Sequence, residues 1–286
     1  MSDFKDGISE MLGQYLITFR EVLEAALITS IVLAYLVRTG RRPLSRYIWL
    51  GVFSATLVSI FFGVSIWTVY GTLSKSFQAL FEGLAALIAV VVLSSMIYWM
   101  ATKGRELKTQ VEDRVEAILT RGATLGLVSF AFIIVFREGL ETVLFLTPFL
   151  VTDARDTVTG LFLGTLTSLA LAYGIFIVGM NVNIRRFFYF TSLLLVLLAG
   201  GLVGYGVHEL IEYTGPNMWG WLGHVAYNLD ISMGNIWHHK GVVGSIFAVM
   251  FGYTVQAEWV RLIAHFAYLV ITLPLVIWTY RKCTLW

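Results

Sequence analysis

The feature that most limits how this chain can fold is a series of apolar runs as wide as a bilayer. Leu84–Met100 and Phe187–Val207 hold no charged side chain, and a helix needs about 20 predominantly apolar residues to cross the hydrocarbon core. Seven such segments are read, at 11–37, 47–73, 77–101, 122–151, 157–180, 187–213 and 254–280. Each is expected to be helical, because a segment in lipid must satisfy its backbone hydrogen bonds internally. The first and fourth are long enough to tilt. Only 13% of the 286 residues are charged, about half the ~25% of a soluble domain. With a mean hydropathy of +0.79, a soluble fold is excluded. The expectation is an all-α polytopic membrane protein with seven transmembrane helices.

Other classes fall away on composition. The net charge of +2 comes with no basic tail, so no nucleic-acid partner is expected. Cys283 is the single cysteine, which precludes an internal disulfide or a thiolate metal cluster. The polar opening MSDFKDGISE does not read as a cleaved signal. No phosphate-binding loop of the Walker A type is present, so direct drive by ATP is not expected.

Orientation follows from the basic residues. Arg38, Arg41, Arg42, Arg46, Lys103, Arg105, Lys108, Arg114, Arg121, Arg185, Arg186, Arg281 and Lys282 fall on one side, and Lys5, Lys75, Arg155 and Lys240 on the other. The richer side is cytoplasmic, which puts the N-terminus outside and the C-terminus inside a cytoplasmic (plasma or inner) membrane. Residues 102–121 are mixed in charge and read as a cytoplasmic helical connector. Residues 214–253 read as an external loop, rich in Gly and aromatics, part of which folds back towards the membrane.

The first and fourth helices share a phrase. ITFREVLEAAL begins at Ile17 and IVFREGLETVL at Ile134, so Phe19, Arg20, Glu21, Leu23 and Glu24 align with Phe136, Arg137, Glu138, Leu140 and Glu141. In the second and fifth helices, Gly51, Phe53, Thr56, Leu57 and Ser59 align with Gly160, Phe162, Thr165, Leu166 and Ser168, at an offset of 109. The first repeat is taken as 11–101 and the second as 122–213. Three helices per repeat is an odd number, so the second copy is inverted, the arrangement of transporters that bind substrate near the bilayer midplane. The seventh helix, 254–280, has no mate.

The charged phrase carries the chemistry. With Arg20 at 0° on an ideal helix, Glu24 falls at about 40° and Glu21 at about 100°. Arg20, Glu21 and Glu24 therefore share one quarter of the circumference, as do Arg137, Glu138 and Glu141. Glu21 and Glu24 lie about 15–20 Å along their helix at 1.5 Å per residue, and each charge at such depth costs at least ~2.5 kcal/mol on insertion scales, so the six must face one another, water or a cation. Arg–Glu pairs that lock helices together explain one carboxylate per helix and leave the other over. Four Glu against two Arg leave a formal −2, which favours a bound cation or protons. Carboxylates are hard ligands, suited to Mg²⁺, Ca²⁺, Mn²⁺ or iron.

Two R-E-x-L-E phrases in the first and fourth of seven helices resemble the oxidase-linked iron permease family (FTR/EfeU type). Asn228–Ile271, with LDIS and GVVGSIFAVMFGY, is similar to that family's external loop and last helix. The resemblance implies iron uptake with Glu21, Glu24, Glu138 and Glu141 as iron ligands and Arg20 and Arg137 as their charge partners. It implies iron as substrate, Fe²⁺ or Fe³⁺, with no organic cofactor. It also implies the lipid bilayer and an iron oxidase or periplasmic or extracellular iron-binding components as partners. Glu82, His208, Glu209, Glu212 and Asp230 are candidates for a metal pathway on the outer side, with His238 and His239 as weaker ones. A transporter of another divalent metal and a membrane carboxylate-iron oxidase are the rival readings. The oxidase needs Glu-x-x-His motifs, and no His stands beside these glutamates.

Overall fold

The computed structural model describes residues 11–103, 107–120, 122, 124–178, 184–232, 235, 237–238, 244, 247–248 and 251–282. Its helices are α1 (Leu12–Arg38), α2 (Ser45–Tyr70), α3 (Lys75–Lys103), α4 (Leu107–Thr120), α5 (Thr124–Thr152), α6 (Ala154–Tyr173), α7 (Ile184–Thr214) and α8 (Trp259–Lys282). Local chemistry sets several of the breaks. After α1, Gly40 takes a φ of +73°, while Arg41 N–H donates to the Leu36 carbonyl at 2.8 Å and Gly40 N–H to that of Val37 at 3.1 Å. This is the Schellman closure that glycine permits. Between α5 and α6, the Asp153 side chain accepts from the N–H groups of Arg155 and Asp156 at 3.0 and 3.1 Å, capping α6.

Each apolar segment read from the sequence overlaps one of the long helices. Five are long and apolar enough to cross a membrane: α2 with the turn before it, α3, α6, α7 and α8. Helices α1 and α5 are as long, at 27 and 29 residues, but each carries the three charges of the repeated phrase. Large apolar side chains such as Leu57, Phe61 and Val270 are about two-thirds exposed. So many large apolar side chains left open fit a surface that meets lipid or another apolar partner.

Two boundaries differ from the expectation. The seventh helix begins at Trp259 rather than 254, because Gln256–Glu258 forms a strand, β2, paired antiparallel with β1 (Val225–Asn228). Ala257 is 1% exposed in that ribbon, and the Tyr227 hydroxyl donates to the Thr254 carbonyl at 2.9 Å. The fold is that of an all-α membrane protein with one small two-stranded ribbon in a connection. The 102–121 connector is helical over Leu107–Thr120, and it buries Val111 and Val115 against Val32, Leu36 and Leu127. The part of 214–253 expected to fold back towards the membrane falls largely outside the described residues.

The helices do not pack mainly on their neighbours in sequence. Helix α1 lies along α6, α2 along α5, and α3 along α7, with α8 against α7 and α3. Glycines mark two of these seams. A Cβ on Gly51 would meet the Val128 carbonyl at 2.5 Å, the Ala131 Cβ at 2.8 Å and the Phe132 nitrogen at 2.9 Å. A Cβ on Gly160 would meet the Met11 carbonyl at 3.1 Å, the Gln14 Cβ at 2.8 Å and the Tyr15 nitrogen at 3.1 Å. Gly51 and Gly160 are aligned positions, and so are the atoms they touch. Small residues at such points let helices approach closely. One core of Ile17, Leu93, Phe145, Leu195 and neighbours joins α1, α3, α5, α7 and α8, leaving the charged phrases beside it.

Candidate metal site

The α1 phrase is sealed. Arg20 and Glu21 are 1% and 0% exposed, and Glu24 is 4%. Arg20 Nη1 donates to Glu21 Oε1 at 2.8 Å and contacts the Met96 sulfur of α3 at 2.6 Å. Arg20 Nη2 lies 2.7 Å from Glu24 Oε1. That contact is an ion pair by distance whose angle is not that of a hydrogen bond. Helix α6 presses on this stretch: Gly164 touches Thr18 and Phe19, and the Ser168 hydroxyl donates to the Phe19 carbonyl at 2.5 Å.

The α5 phrase is more open. Glu138 is buried, while the Arg137 side chain is 49% exposed. Arg137 Nε donates to Glu141 Oε1 at 3.0 Å, and its Nη2 is 3.4 Å from Glu138 Oε1. The guanidinium also lies over the Trp99 ring of α3, 5.6 Å from its centroid. Gly139, where α1 has Val22, leaves room for the Ser59 side chain of α2.

The two phrases meet. One carboxylate oxygen from each of Glu21, Glu138 and Glu141 lies within 4.8 Å of the others. Glu24, the fourth glutamate read from the sequence, is engaged by Arg20 and is not in that trio. The Oε2 atoms of Glu21, Glu138 and Glu141 are buried with no hydrogen-bond partner among the described residues. Buried polar atoms are normally paired, and a carboxylate left unpaired is costly. Three converging carboxylates, each with such an oxygen, fit a hard cation.

The outer candidates fall into a second region. Glu82 is 8% exposed and accepts from the hydroxyls of Tyr70, at 2.5 Å, and Tyr205. His208, Glu209 and Glu212 offer ligand atoms within 4.8 Å of one another near the end of α7. His208 Nδ1 also bonds Glu258 Oε1 at 3.0 Å. Burial alone would raise the Glu258 carboxyl, but the hydrogen bond and charge of His208 hold it below its ordinary value. Asp230 stands exposed in a tight loop at φ +48° and joins neither group. His238 is buried, and His239 falls outside the described residues.

Sequence reasoning missed Met96 and Trp99, the α3 groups against the two arginines, and Tyr70, Tyr205 and Glu258 in the outer region. The i, i+3 spacing of Met96 and Trp99 places them on one face, but a methionine and a tryptophan in an apolar span give no sign of which face that is.

The profile of the iron permease FTR1 family matches residues 11–278. A protein of Archaeoglobus fulgidus described only as uncharacterized is 41% identical, over 96% of this chain and 98% of its own length. The ferrous iron permease EfeU of Escherichia coli O6:H1 is 32% identical, over 91% of this chain and 93% of its own. The EfeU of Yersinia pestis is 31% identical, over 91% of each. No solved structure matches the chain.

Proposed function

Because the chain belongs to the iron permease FTR1 family, we propose that it carries iron inward across the cytoplasmic membrane through a site between α1 and α5. The observation that carries this reading is the convergence of Glu21, Glu138 and Glu141, whose oxygens lie within 4.8 Å, each with a buried unpaired Oε2. A metal ion meeting them exchanges part of its hydration shell for carboxylate oxygens. Arg20 and Arg137 cannot bind metal, having no lone pair to offer, and they offset the repulsion among the glutamates.

In this reading α1 and α5 are spans like the other five, their charges turned towards each other inside the bundle. The matching contacts of Gly51 and Gly160 support two inverted halves with the site between them. Ferrous iron is the proposed cargo. The EfeU relatives are named for it, and Fe²⁺ brings four glutamates and two arginines to neutrality. With the basic side of the protein in the cytoplasm, a membrane potential draws the cation inward, by about 2.3 kcal/mol per charge per 100 mV. An iron oxidase or an iron-binding component outside the membrane is the proposed supplier.

Uptake of radiolabelled iron into proteoliposomes tests the proposal. The wild-type chain accumulates iron inside the vesicles, and Glu21→Gln and Glu138→Gln, inserted and folded, do not. Near-normal uptake by either variant rules out a shared site.

A further inference from the structure

We propose that Arg137 is a displaceable counter-ion: it occupies Glu138 and Glu141 in the metal-free protein and moves onto the face of Trp99 when the ion binds, while Arg20 stays in place. The proposal deepens the reading above and rests on these glutamates holding iron.

The two arginines differ in their freedom to move. Arg20 is enclosed, with Glu21 at 2.8 Å, Glu24 at 2.7 Å and the Met96 sulfur at 2.6 Å. Its exit would strand two buried carboxylates. Arg137 is half-exposed, and its contacts are longer, 3.0 Å to Glu141 and 3.4 Å to Glu138. It already straddles two seats, because the guanidinium that pairs with the carboxylates is 5.6 Å from the centre of the Trp99 ring. An aromatic face holds a guanidinium by its quadrupole, so leaving the carboxylates does not leave the charge without a partner.

The oxygens explain why Arg137 must leave. It engages the Oε1 atoms of Glu138 and Glu141, and only their Oε2 atoms are unpaired. Hard divalent cations commonly take about six oxygens, so the ion gains by recruiting both oxygens of each carboxylate. A guanidinium held on the same groups would also repel the ion. Its departure on binding, and its return on release, trade one cation for another. Trp99 is then a positioning residue, touching no metal and setting how readily Arg137 gives way.

The test uses the full-length wild-type chain in detergent, with ferrous iron under anaerobic conditions. Calorimetry records iron binding, and phenylglyoxal modification followed by peptide mass mapping reports each arginine's reactivity in the same samples. Without iron, Arg137 is modified and Arg20 is protected. With iron bound, the Arg137 rate rises and that of Arg20 stays low. Trp99→Leu weakens iron binding by about 2- to 5-fold, the upper end being a whole cation–π contact and the lower reflecting the part already made without iron, and Trp99→Phe recovers part of it. Iron binding with an unchanged or lower Arg137 rate overturns the proposal, as does wild-type affinity in a folded Trp99→Leu chain. Absence of any iron binding by the wild-type chain fails the central-site reading itself, and this inference with it.

Discussion

The two copies of the charged phrase, Phe19–Glu24 and Phe136–Glu141, share five residues and meet different surroundings. In the α1 copy the arginine is 1% exposed; in the α5 copy its side chain is 49% exposed. The difference comes from outside the phrase. One face of α3 presents the Met96 sulfur to the first arginine and the Trp99 ring to the second. The positions of the second repeat that align with Met96 and Trp99 are Tyr205 and His208, and these instead contact Glu82 and Glu258. A local motif thus sets which charges share a helix face, and the third helix makes one copy a fixed ion pair and the other a loose one.

The largest expected effect of this inequality is on folding. Removing one partner of a buried ion pair costs about 3–5 kcal/mol, whereas an exposed pair is worth about 1 kcal/mol or less. Arg20→Ala, which leaves Glu21 and Glu24 buried beside no guanidinium, should fall in the first class and Arg137→Ala between the two, since Arg137 is half-exposed but Glu138 is buried. Thermal unfolding of the two variants in detergent reads the difference, and equal destabilisation would break the comparison.

Next comes transport. Glu21→Gln and Glu138→Gln should reduce iron uptake to that of protein-free vesicles, while Glu24→Gln retains a measurable part. Arg20 holds Glu21 and Glu24 alike, but only Glu24 stands outside the trio of converging carboxylates. Complete loss in Glu24→Gln would make all four glutamates equal ligands and erase the asymmetry among the carboxylates.

A milder effect asks whether the halves are matched where the phrases are not involved. Gly51→Ala and Gly160→Ala each force a methyl against the facing helix, and overpacking of this kind costs about 1–3 kcal/mol. The aligned contacts predict similar losses in both, measured as shifts in unfolding midpoint. A loss confined to one variant would show that the matching of the seams does not extend to their energetics.

The smallest effect lies away from both phrases. Glu258 titrates below the ordinary glutamate value of 4.5 in the folded protein because His208 bonds it. A depressed folded value contributes stability above the unfolded range, and that contribution disappears as pH falls through the folded value. The pair is partly exposed, so the amount is about 0.5 kcal/mol. Comparing unfolding of Glu258→Gln with the wild-type chain at about pH 6 and again below pH 4 reads it. The gap should close at low pH, and a gap that persists would assign it to packing.

Much of this molecule is legible without coordinates, and the reason is local. Transfer of apolar side chains into lipid adds up along a segment, so the long helices stand out as runs. A charged phrase within such a run is conspicuous for the same reason, and its helical spacing alone puts Arg20, Glu21 and Glu24 on one face. Boundaries set by pairing were less legible: Gln256–Glu258 reads as the start of a helix until Val225–Asn228 is seen to pair with it.

The sequence by itself determined an apolar helical membrane protein, a repeated phrase of four glutamates and two arginines, and the need for something to neutralise them. Tertiary structure alone decided which carboxylates converge, that Glu24 is held by Arg20, and that Arg20 is enclosed while Arg137 is not. It also decided that Met96 and Trp99 attend the arginines and that Tyr70 and Tyr205 hold Glu82. The physical reason is that the hydrophobic effect is non-directional. It marks a residue as fit for the bilayer without saying which neighbour it will touch, and that choice is made by close contacts such as those at Gly51 and Gly160, which set how each helix is turned.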